Sequence, residues 1–300
     1  MIASVGLCIV DVTLTVDRLP TRGESLNTTG MSVSDGGKAA NQLVAAARLG
    51  RKTALIGRGG APFLGRSPLA SLQREGVDVR HVRDTTADAG FSMILLTPGG
   101  EQLIITHNGP GADVDLPSVA AAIDDLDPGI LLLQGEVDPD ATVQIGHSFE
   151  ETVILDPSPV DPFVGMDLSF ASILTPNLSE AQRLTGMAEP TARDVAAATS
   201  AHSVVVTQGP RGAEWWHEGT SGREPALQVP VVDPTGAGDA FNGALAAALE
   251  TGSTFPEAVR LATLVSSWSV QRRHCIDSYP TLEELSQVVP IGAAFEGLLL

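Results

Sequence analysis

The run Asp233-Pro234-Thr235-Gly236-Ala237-Gly238-Asp239-Ala240-Phe241-Asn242-Gly243 is the part of the chain best equipped for chemistry. Two glycines around an alanine let the backbone turn tightly and leave amide N–H groups pointing outward. At the start of a helix over 238–250, those amides and the helix dipole make an anion site. A carboxylate in that first turn, Asp239, stands where a substrate hydroxyl would arrive beside the anion. It would accept the hydroxyl proton as the oxygen attacks a γ-phosphoryl group, a transfer accelerated chiefly by positioning and charge neutralisation. An ordinary Gly-rich strand-to-helix turn, with Asp239 as a helix-favouring carboxylate, accounts for the same residues. The run matches neither the dinucleotide fingerprint nor the P-loop.

Other polar residues stand at the ends of apolar runs. Asp11 follows Val5-Gly6-Leu7-Cys8-Ile9-Val10, at the carboxyl edge of a first strand, where open α/β sheets bind ligands. It also suits a turn. Glu136 follows Ile130–Gln134, and an unpaired carboxylate there must face a polar cleft. Lys38 and Asn41 open a helix after Gly36-Gly37, as functional groups or as a helix start with a polar face. Asn177 and Glu180 have the spacing of an N-terminal capping pair, which does not exclude a metal role. Lysine occurs only at Lys38 and Lys52, so each merits attention. His274 and Trp268 read as structural or solvent-facing, and Trp215-Trp216 as packing or a surface hairpin.

These groups need a scaffold, and the chain alternates strand-length apolar runs with Ala-rich helical stretches. Strands are expected over 2–10, 53–57, 130–134, 152–155, 172–175, 203–207 and 227–232. Helices are expected over 39–49, 66–75, 117–126, 178–186, 191–200, 238–250 and 256–272, with Gly50 and Gly76 as C-terminal stops. Fully apolar strands separated by helices predict an α/β fold: a doubly wound, mainly parallel sheet flanked by helices. Residues 12–35 and 90–107 break the alternation. The second reads as a hairpin around Pro98-Gly99-Gly100, and the first as strands that pair with it. They form either a small β-sheet lid or an extended edge of the main sheet.

The formal charge of −18 over 300 residues excludes an extended nucleic-acid footprint. Two cysteines are too few for a secreted disulfide framework. No basic segment precedes an apolar stretch near residue 1, and no uninterrupted apolar span is long enough for a bilayer. A cytoplasmic protein is expected, with no membrane partner.

The sequence resembles the ribokinase-like (PfkB) carbohydrate kinases. Asp233–Phe241 is similar to their C-terminal signature and Gly36-Gly37-Lys38-Ala39-Ala40-Asn41-Gln42 to their N-terminal one. Asn177-Leu178-Ser179-Glu180 resembles their Asn-x-x-Glu element, and Thr207-Gln208-Gly209-Pro210-Arg211-Gly212 their nucleotide-side Gly loop. The resemblance covers about 2–285, with four motifs in order. It implies one kinase domain over 1–300, with lid segments 12–35 and 90–107, using ATP and Mg²⁺ and, in many members, K⁺. It makes Asp239 the catalytic base and Gly236, Ala237 and Gly238 the anion hole. Asp11, Gly37, Lys38, Asn41 and Glu136 fall at sugar-binding positions. Asn177 and Glu180 would organise Mg²⁺ near the phosphates; Thr207, Gly209 and Gly212 would line the nucleotide pocket. Asp233, Thr235 and Ser278 match monovalent-cation positions. The implied partners are a small sugar, ATP and a second copy through the lid.

The chain departs from that pattern in places. Ile9 stands where ribose-phosphorylating members usually have Asn, and His274-Cys275-Ile276 where Gly-Ala-Gln is usual. Residues 57–65 lack an acidic residue common before their final Gly. Gly100–Ile105, Gly109–Asp113 and Leu131–Glu136 nevertheless resemble ribose kinases more than fructose or ketodeoxygluconate kinases. A pentose such as ribose is the expected acceptor. The alternatives are a nucleoside or another sugar, or a sugar- or nucleotide-binding regulatory protein without turnover.

Overall fold

The structure is a computed structural model describing residues 1–287, with backbone only for 84–88, 110 and 111; residues 288–300 of the expected domain lie outside it. In chain order the strands are β1 (Ile2–Val5), β2 (Ile9–Thr15), β3 (Gly30–Gly36), β4 (Thr53–Ala61), β5 (Asp78–Asp88), β6 (Phe91–Leu96) and β7 (Gln102–His107). They continue as β8 (Ile130–Gln134), β9 (Thr152–Asp156), β10 (Ile173–Leu174), β11 (Ser203–Thr207), β12 (Ala213–His217) and β13 (Thr220–Glu224). The helices are α1 (Lys38–Arg48), α2 (Pro68–Arg74), α3 (Leu116–Leu126), α4 (Pro139–Ser148) and α5 (Leu178–Thr185). After them come α6 (Ala192–Thr199), α7 (Ala237–Glu250), α8 (Phe255–Ser269) and α9 (Leu282–Ser286).

A large sheet runs in the order β13-β12-β11-β10-β9-β8-β1-β4-β5. Its ladders are parallel except β11–β12 and β12–β13. Every residue of β8 is buried, as a strand covered on both faces must be. Alternate side chains feed two cores. Ile2, Leu132, Ile154 and Val205 pack with α1, α7 and α8, whereas Ala3, Leu131, Val153 and Val204 pack with α3, α5 and α6. A separate sheet has the order β3-β2-β6-β7, with β2–β6 parallel and the outer pairs antiparallel. It takes up both irregular segments, so they do not extend the main sheet.

Residues 2–10 are not one strand. The chain leaves the large sheet after Val5 and enters the smaller one at Ile9. Gly6 permits the crossing, because a Cβ there would lie 2.6 Å from Ala39 Cβ and 2.8 Å from Gln134 Oε1. Asp11 therefore stands on β2 of the smaller sheet, not at the edge of the large one. The apolar run 227–232 is also not a strand. Val232 N–H reaches Val270 O, while Leu227, Val231 and Val232 stay exposed. Trp215 and Trp216 lie in the β12–β13 hairpin, Trp215 edge-on to Phe255. Trp268 lies under the Arg272 guanidinium, a packing role.

Candidate active site

Most of the polar residues singled out above gather just past the carboxyl ends of the parallel strands, the usual ligand edge of open α/β sheets. Glu136 follows β8, Asn177 follows β10, and Thr207 ends β11. Across from them stand the N-termini of α1 and α7, and the smaller sheet forms the remaining wall. Between these walls lies a cleft of about 860 Å³.

The α7 turn is built as its glycines suggest. Gly236 is left-handed (φ 78°), and a Cβ there would lie 2.6 Å from Tyr279 Oη and 2.8 Å from Cys275 Sγ. Tyr279 Oη donates to Gly236 O at 3.1 Å. The N–H groups of Ala237 and Ala240 are taken by Pro234 O and Gly236 O, which leaves those of Gly236, Gly238 and Asp239 for a ligand. Asn242 braces the turn, donating to Gly238 O and accepting from Thr175 Oγ1.

Asp239 is buried and surrounded by donors. Asn41 Nδ2 reaches its Oδ2 at 2.9 Å, Gln42 Nε2 its Oδ1 at 3.2 Å, and Lys38 Nζ lies 3.9 Å from Oδ1. Lys38 also approaches Asp156 Oδ2 at 3.4 Å. Burial alone would lower the Lys38 ammonium, but Asp156, Asp239 and Glu136 together hold it above its ordinary value. Gly37, at φ 97°, turns the chain so that Lys38 N–H donates to Glu136 Oε2 at 2.9 Å. Asn41 Oδ1 is a buried acceptor with no donor among the described residues.

Three further carboxyls line the cleft, Asp11 on β2, Glu136 after β8 and Asp156 at the end of β9. Burial raises Asp11 to about 7, with Ser92 hydrogen bonding against the shift and Asp239 adding to it. Gly36 makes room for it, since a Cβ there would collide with the Asp11 carboxylate. Burial raises Glu136 to about 8, and Lys38 opposes this. Asp156 rises to about 7 for the same reason, again opposed by Lys38.

Thr207, Gly209, Asn177 and Glu180 line the far end of the cleft. Asn177 and Glu180 form a full capping box: Glu180 Oε2 accepts from Asn177 N–H, and Asn177 Oδ1 from Glu180 N–H. Gly212 is not on the cleft wall. At φ 88° it closes the β11–β12 turn, where a Cβ would collide with Glu224 O. Asp233 and Ser278 lie behind the α7 turn. Asp233 accepts from the Thr235 and His274 N–H groups, and Ser278 Oγ donates to Cys275 O. Thr235 reaches the other way, donating to Gln102 Oε1 of the smaller sheet at 3.0 Å.

Sequence reasoning missed several residues in or beneath the cleft. Asp156 had the same signal as Glu136, a carboxylate closing an apolar strand. Gln42 closes the N-terminal signature and Gln134 ends an apolar strand, but neither was given a role, because a buried amide looks like any polar residue until its partners are known. Cys275, whose Sγ lies 4.0 Å from Asp11 Oδ2, belongs to the segment noted for its departure from the usual pattern.

The sequence matches the family model described as pfkB family carbohydrate kinase over residues 1–282. It is 31% identical over 296 residues to a ribokinase of Bacillus subtilis, covering 96% of this chain and 99% of that one. A deoxyribokinase of Salmonella typhi is 27% identical, with 97% and 99% covered. Among solved structures, Arabidopsis thaliana ribokinase complexed with ribose and ATP superimposes with a TM-score of 0.78 at 28% identity, covering 97% of this chain and 99% of that one.

Proposed function

The chain belongs to the pfkB family of carbohydrate kinases and is an ATP-dependent sugar phosphotransferase; we propose that it phosphorylates a primary hydroxyl of ribose or a closely related pentose. One observation carries this reading: a carboxylate, an unsatisfied amide turn and a polar pocket meet in one cleft. Asp239 takes the proton of the attacking hydroxyl. The N–H groups of Gly236, Gly238 and Asp239, with Ala237 shaping the turn, hold the transferring phosphoryl group. Lys38 offsets charge between the two sides.

The sugar occupies the part of the cleft bounded by Asp11, Gly37, Lys38, Asn41 and Glu136. The orphaned Asn41 Oδ1 supports this, since a buried acceptor without a donor is costly and a sugar hydroxyl would satisfy it. Thr207 and Gly209 face the nucleotide. Gly212 supports them from within its turn.

The residues fit the two expected ions. The capping box engages Oε2 of Glu180, and both Glu180 and Asn177 line the cleft; one carboxylate with phosphate and water oxygens suits Mg²⁺. Bound there, Mg²⁺ would neutralise phosphate oxygens. Asp233 is a buried carboxylate that accepts from the Thr235 and His274 N–H groups, and with Thr235 and Ser278 nearby it offers oxygen ligands that suit K⁺.

The smaller sheet is read as a lid. Asp11, Ser92, Ile94 and Ile104 face the cleft, and the Thr235–Gln102 hydrogen bond ties its edge to the phosphate turn. Closure excludes water from the phosphoryl group. The lid's outer face is apolar: Met31 (61% exposed), Leu14, Leu95 and Leu103 form one row, and Val33, Val12, Met93 and Ile105 (62% exposed) the next. Such a face suits a second copy, and the chain is taken as a homodimer through it. A cytoplasmic location fits two buried cysteines outside any disulfide and a need for ATP. Among the described residues, no helix is long and apolar enough to cross a membrane.

The test is ADP release with a panel of pentoses, deoxypentoses, hexoses and nucleosides, with Mg²⁺ and with or without K⁺. Ribose or a near relative should give the highest kcat/KM. Turnover on nucleosides alone would replace the pentose assignment. Binding without ADP release across the panel would favour a regulatory protein.

A further inference from the structure

Beneath the cleft floor runs a line of neutral polar groups that the chemistry above does not use. Ser4 on β1, Gln134 at the end of β8 and Gln42 on α1 are all buried. Ser4 Oγ donates to Leu132 O at 2.9 Å, so it accepts from Gln134 Nε2 at 3.1 Å. Gln134 Nε2 also donates to Gln42 Oε1 at 2.9 Å. That bond fixes which way the Gln42 amide faces, because its oxygen is held by a donor. Its two N–H bonds are left for Asp156 Oδ2 at 3.0 Å and Asp239 Oδ1 at 3.2 Å. Lys38 Nζ approaches the same two oxygens. One charged and one neutral donor therefore bridge two buried carboxylates.

We propose that Gln42, oriented by Gln134, is a positioning residue for phosphoryl transfer that holds Asp239 Oδ1 as an ionised proton acceptor aimed at the substrate hydroxyl. The inference rests on the kinase reading given above. Asp239 faces acidic groups from several elements: Asp11 of β2, Glu136 after β8 and Asp156 of β9, with Glu180 of α5 further along the cleft and Asp233 behind the α7 turn. Cys275 and Tyr279 lie on its remaining side, and Lys38 of α1 is the cation. Carboxylates crowded around one ammonium tend to share a proton, and a proton on Asp239 would abolish its use as a base. Hydrogen bonds donated to the charged form oppose that. Gln42 supplies one to each acid without adding charge.

The test compares the wild type with Gln42→Leu, Gln42→Glu and Gln134→Leu. ADP release is followed from pH 5 to 9 on the best acceptor of the panel. Gln42→Leu should lower kcat about 10-fold near pH 6, with KM for ATP within about twofold, and the loss should shrink as pH rises. The acidic limb of its kcat profile should move up by about one pH unit. Gln42→Glu should lose more, since it adds a carboxyl and at most one donor. Gln134→Leu should lose less, because the Gln42 amide remains but can flip. A purely structural role would lower the folded fraction and leave the profile in place, and that result would overturn the proposal. A second readout needs no turnover: ¹³C-carboxyl titration of aspartate-labelled protein, with Asp239→Asn identifying the resonance. An Asp239 titration unchanged in Gln42→Leu would sink the inference even if the wild type proved inactive on every acceptor. That inactivity alone would sink only the kinase reading.

Discussion

The two long walls of the cleft treat the same side chain in opposite ways. On the helix wall, Asp239 is buried yet touched by Asn41, Gln42 and Lys38, three donors from the first turns of α1. On the sheet wall, Asp11 is equally buried, but hydroxyl and thiol groups replace the amides and the ammonium, and burial carries it to about 7. Depth in the protein is similar, so the two walls differ in the donors they offer a carboxylate rather than in burial. A helix N-terminus with amide side chains suits a proton acceptor. A sheet whose backbone groups are already paired leaves its carboxyl half-protonated near neutrality, able to donate to or accept from a sugar hydroxyl.

The sharpest way to break this contrast is to neutralise each wall in turn. Asp239→Asn should lower kcat by about 10²–10⁴-fold while sugar binding, measured by calorimetry, persists. Asp11→Asn resembles the protonated acid already present, so kcat/KM for the sugar should fall only about 10-fold, mainly through KM. Comparable kcat losses in both would erase the distinction. The next effect is on stability. Asp11, Asp156 and Glu136 have folded values raised to about 7, 7 and 8, so above pH 4 the native state binds more protons than the unfolded chain. Stability from these groups is therefore greatest at low pH and is lost as pH rises from about 4 through 8. The ligand-free protein should melt a few degrees lower at pH 8 than at pH 6, and Glu136→Gln should flatten that slope. A melting temperature that rises over the interval would contradict it.

The smallest effect concerns the segment behind the phosphate turn. His274 is left-handed at φ 69°, a conformation glycine adopts without strain. His274→Gly should stabilise the fold by about 0.5–1 kcal/mol, or about 2 °C in Tm. A lower Tm would mean that the imidazole makes a compensating contact.

The parts of this site legible in sequence were those with short-range signals. Gly236 and Gly238 before a helix, the capping pair Asn177 and Glu180, and Glu136 after an apolar strand all report their geometry to their neighbours in the chain. The failures were long-range. Nothing within 2–10 shows that Gly6 must pass α1 at a distance too short for a side chain. The run 227–232 has a strand's composition but no ladder to join. Helix α4 has Pro139, Gly146 and little periodicity, and it is held by an Asp138 cap and by Ile145 in the core. Gln42 and Asp156 lie far apart in the chain, and only the meeting of α1 with β9 shows that they pair, although Asp156 carried the same strand-end signal as Glu136.

The turn before α7 also limits how this protein can change. Gly236 is constrained twice over, by its torsion and by the atoms of Cys275 and Tyr279 beside it. Trimming either neighbour would open space yet leave a left-handed backbone angle that strains any side chain, and no torsional adjustment alone would clear the tyrosine. A side chain at position 236 therefore needs more than one compensating change, which makes the turn the least variable part of the cleft's architecture.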